Sequence, residues 1–156
     1  MLRLQRYRIR RFSRLDGGRR ALLLEASFWL LVARLELLFV PFPKLARRWG
    51  RFVEPAKAAS AATHQNPTLE QQRQAQEIGW AVTRAARHVP FSAVCLPQAM
   101  AAFIMLRKRN IGSVMHFGAA KGKDKPLDAH AWLDAAGVKV TGYPVAPEFA
   151  ELGCFI

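Results

Sequence analysis

The chain begins its regular patterning with a block in which almost every residue from Ala21 to Phe42 is apolar, broken by Glu25, Ser27, Arg34 and Glu36. This density predicts one strongly apolar helix over 20–41, stopped by Pro41 and Pro43. A short basic helix is expected from Lys44 to Phe52, followed by a small, polar linker over 54–65. Asn66-Pro67-Thr68 then supplies helix-start chemistry, with Thr68 and Gln71 spaced as a capping box. The helix that follows runs to about His88, with Ile78, Val82 and Ala85 on one apolar face and Trp80 adding a large apolar body.

After the loop His88-Val89-Pro90-Phe91-Ser92 a second helix is expected from about Leu96 to Arg109. Asn110 and Gly112, which tolerate left-handed backbone, would end it. Beyond that point the period falls from helical to alternating, and Ser113–Gly118, Ala129–Asp134 and Val138–Tyr143 are strand candidates. Gly137 suits a hairpin between the last two. The expected fold is therefore α+β: N-terminal helices, then a Cys-bearing helix packed on a small antiparallel sheet. We divide the chain into a basic segment over 1–20 and a single domain over 21–156, helical over 21–90 and carrying the chemistry over 91–156.

Composition changes this picture in one respect. With 156 residues and 51% hydrophobic positions the chain can bury an ordinary core. Its formal charge is +13, however, and Arg3, Arg6, Arg8, Arg10, Arg11, Arg14, Arg19 and Arg20 crowd the first twenty residues. Such a block attracts nucleic acid, anionic lipid or an acidic peptide, and it is equally what a solvated terminus looks like. The apolar block carries too many charges and prolines for a membrane span, and the basic lead does not resemble a signal peptide. Cys95 and Cys154 are the only cysteines, too few for a disulfide framework. A cytoplasmic protein is the expectation.

The candidate chemistry centres on Cys95 and His130. Cys95 falls at a helix N-terminus, where unpaired N–H groups and the positive end of the macrodipole favour a thiolate and can hold a developing oxyanion. Pro97 fits only in a first turn, and Ala99 and Ala102, on the face of Cys95, would let a sheet approach closely. A lone Cys is also commonly a small buried hydrophobe. His130 shares a strand face with Trp132, a shielded setting suited to a general base and also common for a structural histidine. His64, His88 and His116 are weaker candidates. Cys154, near the C-terminus with no helix start after it, is expected to be structural or incidental. No cofactor is expected: metal-ligand spacing and a phosphate-binding glycine loop are both lacking.

Taken together, Cys95 opening Leu-Pro-Gln-Ala-Met-Ala-Ala-Phe-Ile-Met-Leu-Arg-Lys-Arg-Asn-Ile-Gly, followed by a strand and by Ala129-His130-Ala131-Trp132, resembles the transglutaminase-like cysteine protease superfamily. Phe39-Val40-Pro41-Phe42-Pro43 and Gly79-Trp80-Ala81-Val82 extend the likeness over roughly residues 20–154. Within that superfamily the chain is similar to the leader peptidases of lasso-peptide biosynthesis, the B proteins, in their split form lacking the leader-recognition domain. The resemblance implies a peptidase in which Cys95 attacks the scissile carbonyl and His130 serves as general base and acid. It also implies three partners: a precursor peptide, a separate winged-helix leader-recognition protein, and an ATP-dependent, asparagine-synthetase-like macrolactam synthetase. Peripheral membrane contact through the basic N-terminus is a further partner class.

The same resemblance implies an orienting Asp at the position held here by Gly142. Asp134 shares the face of His130 but lies roughly 13 Å away at about 3.3 Å per residue, too far to replace it. Asp128, two residues before His130, is within reach and is the candidate orienting acid; Glu148, Glu151, a backbone carbonyl or the Gln98 amide are other acceptors. Two other classes stay open, a non-catalytic transglutaminase-like scaffold in the biosynthetic complex and a basic membrane- or nucleic-acid-surface binder.

Overall fold

The computed structural model describes residues 16–57, 66–122 and 126–156. Helix α1 spans Gly17–Phe39, with Asp16 as its N-cap accepting a hydrogen bond from the Arg19 N–H at 2.9 Å. The cap starts the helix ahead of the expected boundary, so Arg19 and Arg20 belong to α1, while residues 1–15 of the basic segment lie outside the described residues. Leu23, Ala26, Leu30 and Ala33 are buried on one side. Leu24, Phe28, Leu31, Leu35 and Leu38 form a second stripe that is exposed, from 62% for Leu24 to 59% for Leu38 at its ends. That double stripe explains why the block is apolar all round. Among the described residues no helix is long and apolar enough to cross a membrane.

Pro41 breaks the chain and α2 follows over Phe42–Trp49, with Pro43 in its first turn where a missing N–H costs nothing. The expected basic helix ends three residues early, because Phe52–Val53 forms an edge strand, β1. Residues 58–65 of the expected linker lie outside the described residues. Helix α3, Leu69–Ala86, begins with the predicted capping box: Thr68 Oγ1 accepts from the Gln71 N–H and the Gln71 side chain accepts from the Thr68 N–H. Ile78, Val82 and Ala85 are buried as expected. Gly79 lets the sheet touch this helix, since a Cβ there would lie 2.5 Å from the Val140 carbonyl oxygen. Helix α4 spans Cys95–Arg107, and Asn110, three residues beyond it, turns left-handed with φ 55° as the sequence suggested; Gly112 does not share that conformation.

The sheet is antiparallel in the order β1-β5-β2-β3-β4, with β2 Ser113–Lys121, β3 Leu127–Ala135, β4 Val138–Thr141 and β5 Ala150–Phe155. Ala136 and Gly137, with φ 52° and 74°, make the tight β3–β4 hairpin. Met115, Ala131, Leu133, Ala135, Val140 and Phe155 face one core shared with the buried sides of α1, α3 and α4. Arg109, just past α4, grips Glu25 of α1 through two bonds of 2.7 and 3.1 Å, pinning the first helix to the Cys-bearing one. Strand β5 was not foreseen. Its alternation is interrupted by a bulge opposite Phe117 and Gly118, which hides the period of two.

Candidate active site

Cys95 is the first residue of α4, half-buried, with Val94 preceding it in extended backbone. No side chain caps this end and its first turn has no acidic residue. Pro97 has no N–H, and the Gln98 N–H donates to the Val94 carbonyl at 3.3 Å. The Cys95 and Leu96 N–H groups thus lack a capping side chain, which suits stabilisation of negative charge on the thiol or on an oxygen beside it. The Gln98 side chain does not turn toward His130: its amide donates to the Ala93 carbonyl at 2.7 Å and fixes the loop entering the helix. Ala99 and Ala102 are fully buried, and α4 packs on β3.

His130 lies on β3, half-buried, with Trp132 stacked beside it at 5.8 Å between ring centroids and Phe149 at 5.2 Å. Its Nε2 is 2.7 Å from the carbonyl oxygen of Gly142. A carbonyl only accepts, so Nε2–H donates and the neutral ring carries its lone pair on Nδ1. The position without an acidic side chain therefore still orients the imidazole, through its backbone. The hairpin brings Gly142 there by way of a bulge between Leu133 and Asp134 in the β3–β4 pairing, not through a direct cross-strand pair. Gly142 has φ 82°, and a Cβ would sit 2.5 Å from the Ala131 carbonyl oxygen and 2.7 Å from Trp132 Cα.

Asp128 is exposed and no hydrogen bond or ion pair joins it to His130 among the described residues; the observed acceptor is Gly142, not this carboxylate. Glu148 makes no such bond to His130 either, and Glu151 turns to His116. No hydrogen bond links the Cys95 thiol to His130 among the described residues; the thiol opens α4 and the imidazole stands on β3 in the Trp132 row, which alternates with the core positions Ala131 and Leu133. His88 is accounted for locally, its Nδ1 lying 2.8 Å from the Arg84 carbonyl, and His64 lies outside the described residues.

The profile of the transglutaminase-like superfamily matches residues 37–153. The chain belongs to this superfamily. No curated protein and no solved structure matches it. The match covers the Cys-bearing helix and the strands of the sheet up to Gly153, and the α+β architecture agrees with it.

A second polar cluster on the transglutaminase-like domain escaped sequence reasoning. His116 of β2 lies 2.6 Å from Glu151 Oε1 through Nδ1, and its Nε2 lies 3.4 Å from Asp134 Oδ2, an ion-pair approach without hydrogen-bond geometry. The Tyr143 hydroxyl donates to Asp134 at 2.6 Å, and the Cys154 thiol to Glu151 at 3.5 Å. Burial disfavours the His116 imidazolium, but the Asp134 and Glu151 carboxylates outweigh it and raise its pKa. Burial and the Glu151 carboxylate push the Cys154 thiol up to about 12. The members of this cluster are scattered over β2, β3, β5 and the segment after β4, so the only available signal was the period-two register of strands, which the bulge in β5 breaks.

Proposed function

We propose that this protein is a cysteine peptidase that removes the leader from a ribosomally made lasso-peptide precursor before a partner synthetase closes the macrolactam. The observation that carries this reading is the hydrogen bond from His130 Nε2 to the Gly142 carbonyl, which leaves Nδ1 as the basic nitrogen of the ring. In the proposed reaction Cys95 Sγ forms a bond to the scissile carbonyl carbon as its proton passes to His130 Nδ1. The carbonyl oxygen takes up the negative charge beside the free N–H groups of α4. Collapse of that intermediate breaks the C–N bond, and the imidazolium returns its proton to the leaving amine. Water, deprotonated by the same nitrogen, then splits the thioester into the leader carboxylate and the thiol. Because thiol and imidazole share no hydrogen bond in the free protein, their alignment is assigned to substrate binding, a tightening common at catalytic sites.

Leader recognition by a separate winged-helix protein, and delivery of the product to an asparagine-synthetase-like enzyme, are part of the same reading. The exposed stripe of Leu24, Phe28, Leu31, Leu35 and Leu38 is the surface we assign to the recognition protein. The test is direct: incubate protein, a lasso precursor and its recognition protein, and read the products by mass. A single cut that disappears in Cys95→Ala and in His130→Ala supports the peptidase. The absent thiol–imidazole bond favours one alternative, a non-catalytic scaffold, and that reading prevails if no combination of partners produces a cut.

A further inference from the structure

The polar cluster beside Trp132, on the sheet face that carries His130, has the composition of a metal site. The ligating atoms of His116, Glu151 and Cys154 all lie within 4.8 Å of one another. His116 and Cys154 are direct cross-strand partners on β2 and β5, so their side chains leave the same face side by side. Glu151 precedes Cys154 by three residues and would face the opposite side of a regular strand. The bulge opposite Phe117 and Gly118 inserts the extra residue that turns it back to the same face. One carboxylate oxygen, Glu151 Oε1, then receives both the imidazole at 2.6 Å and the thiol at 3.5 Å.

We infer that His116, Glu151 and Cys154 bind a zinc-class divalent ion. The ligand types decide the class: a thiolate, an imidazole and a carboxylate suit Zn²⁺, whereas Ca²⁺ and Mg²⁺ take oxygen ligands. Charges balance, since a thiolate and a carboxylate offset a dication while neutral His116 supplies the third bond through Nδ1. Binding expels the thiol proton and any imidazolium proton to solvent. The outer partners are already present. The Nε2 side of His116 faces Asp134, whose other oxygen is held by the Tyr143 hydroxyl, an arrangement that fixes a metal-bound imidazole in orientation and tautomer. Trp132 lies flat against the ring, with centroids 5.5 Å apart and planes within 1°. The same indole stacks on His130, so the ion would brace the strand that carries the candidate base and clip β5 to β2.

The experiment uses the full chain stripped with a chelator and titrated with Zn²⁺ against a chromophoric competitor, and in parallel with Co²⁺. One equivalent of Zn²⁺ should bind, and the Co²⁺ form should show the near-ultraviolet absorption of a thiolate–metal bond. Cys154→Ser, a substitution of nearly equal size, should remove that absorption and weaken Zn²⁺ binding at least about tenfold. Cys95→Ala should leave both intact. Absence of stoichiometric binding in the wild-type chain overturns the assignment without reliance on any variant. Binding that survives Cys154→Ser with its thiolate band, or that vanishes in Cys95→Ala, overturns it as well.

Discussion

The two thiols sit in opposite settings. Cys95 opens a helix, half-exposed, with no acidic residue in the turn it begins and no capping side chain over its N–H groups. Cys154 lies in the middle of a sheet, where its burial, and after it the neighbouring Glu151 carboxylate, push the thiol pKa to about 12. One chain therefore presents a sulfur where negative charge is welcome and another where, without a cation, it is not. The lesson is that thiol chemistry is assigned by the local field: a helix terminus offers partial positive charge from the backbone, whereas Glu151 offers the reverse.

The hardest test of that contrast is substitution. Cys95→Ala should lower precursor cleavage by at least about a thousandfold, while Cys154→Ala should change it by less than about tenfold. Product yield by mass against time decides; comparable losses from both substitutions would dissolve the distinction.

Alkylation probes the contrast without any substrate. At pH 7 iodoacetamide should modify Cys95 at least about a hundredfold faster than Cys154, since the reactive species is the thiolate and Cys154 is both buried and disfavoured as an anion. Peptide mapping after timed quenching measures the ratio. Equal rates would show that the helix end gives Cys95 no advantage and would favour the scaffold reading.

The helical half of the molecule was largely legible because its signals are local. Thr68 and Gln71 cap α3 as their spacing predicts, Asn110 turns left-handed after α4, and Cys95 opens its helix. Three strands were legible from alternation and from Gly137. What escaped was nonlocal. Strand β5 and edge strand β1 exist through pairing with each other and with β2, and a bulge scrambles the alternation of β5. The orienting acceptor for His130 escaped for a related reason: an acid is expected among side chains, and the group that arrives is the backbone carbonyl of Gly142. His116, Glu151 and Cys154 were separately visible but become neighbours only through the register.

Gly142 sharpens the catalytic side of the comparison. Its φ of 82° and the 2.5 Å approach a Cβ would make to the Ala131 carbonyl leave no room for a side chain. Gly142→Ala should cost about 2 kcal/mol or more in urea unfolding and should reduce cleavage by displacing the carbonyl that holds His130. Gly142→Asp, which reinstates the acid the resemblance implies, should behave no better than Gly142→Ala. A Gly142→Asp variant that cleaved faster than the wild type would mean that the backbone carbonyl is a poor substitute and that this hairpin can readily relax.

The smallest expected effect lies in the helical layer that carries Cys95. Arg109 hydrogen bonds hold the Glu25 carboxyl below its usual range, against the opposing push of partial burial. A carboxylate whose folded pKa is depressed contributes stability above its unfolded value, near 4.5, and loses it as pH falls through the lower folded value. Both side chains are about a quarter exposed, so solvent screening limits the contribution to about 1 kcal/mol. The urea midpoint of Glu25→Gln should fall below that of the wild type at pH 7, and the gap should close as the pH drops below about 4.5. A gap unchanged at low pH would mean that the substitution disturbs the packing of α1 on α4 rather than an ion pair. The platform of Cys95 would then rest on apolar contact alone.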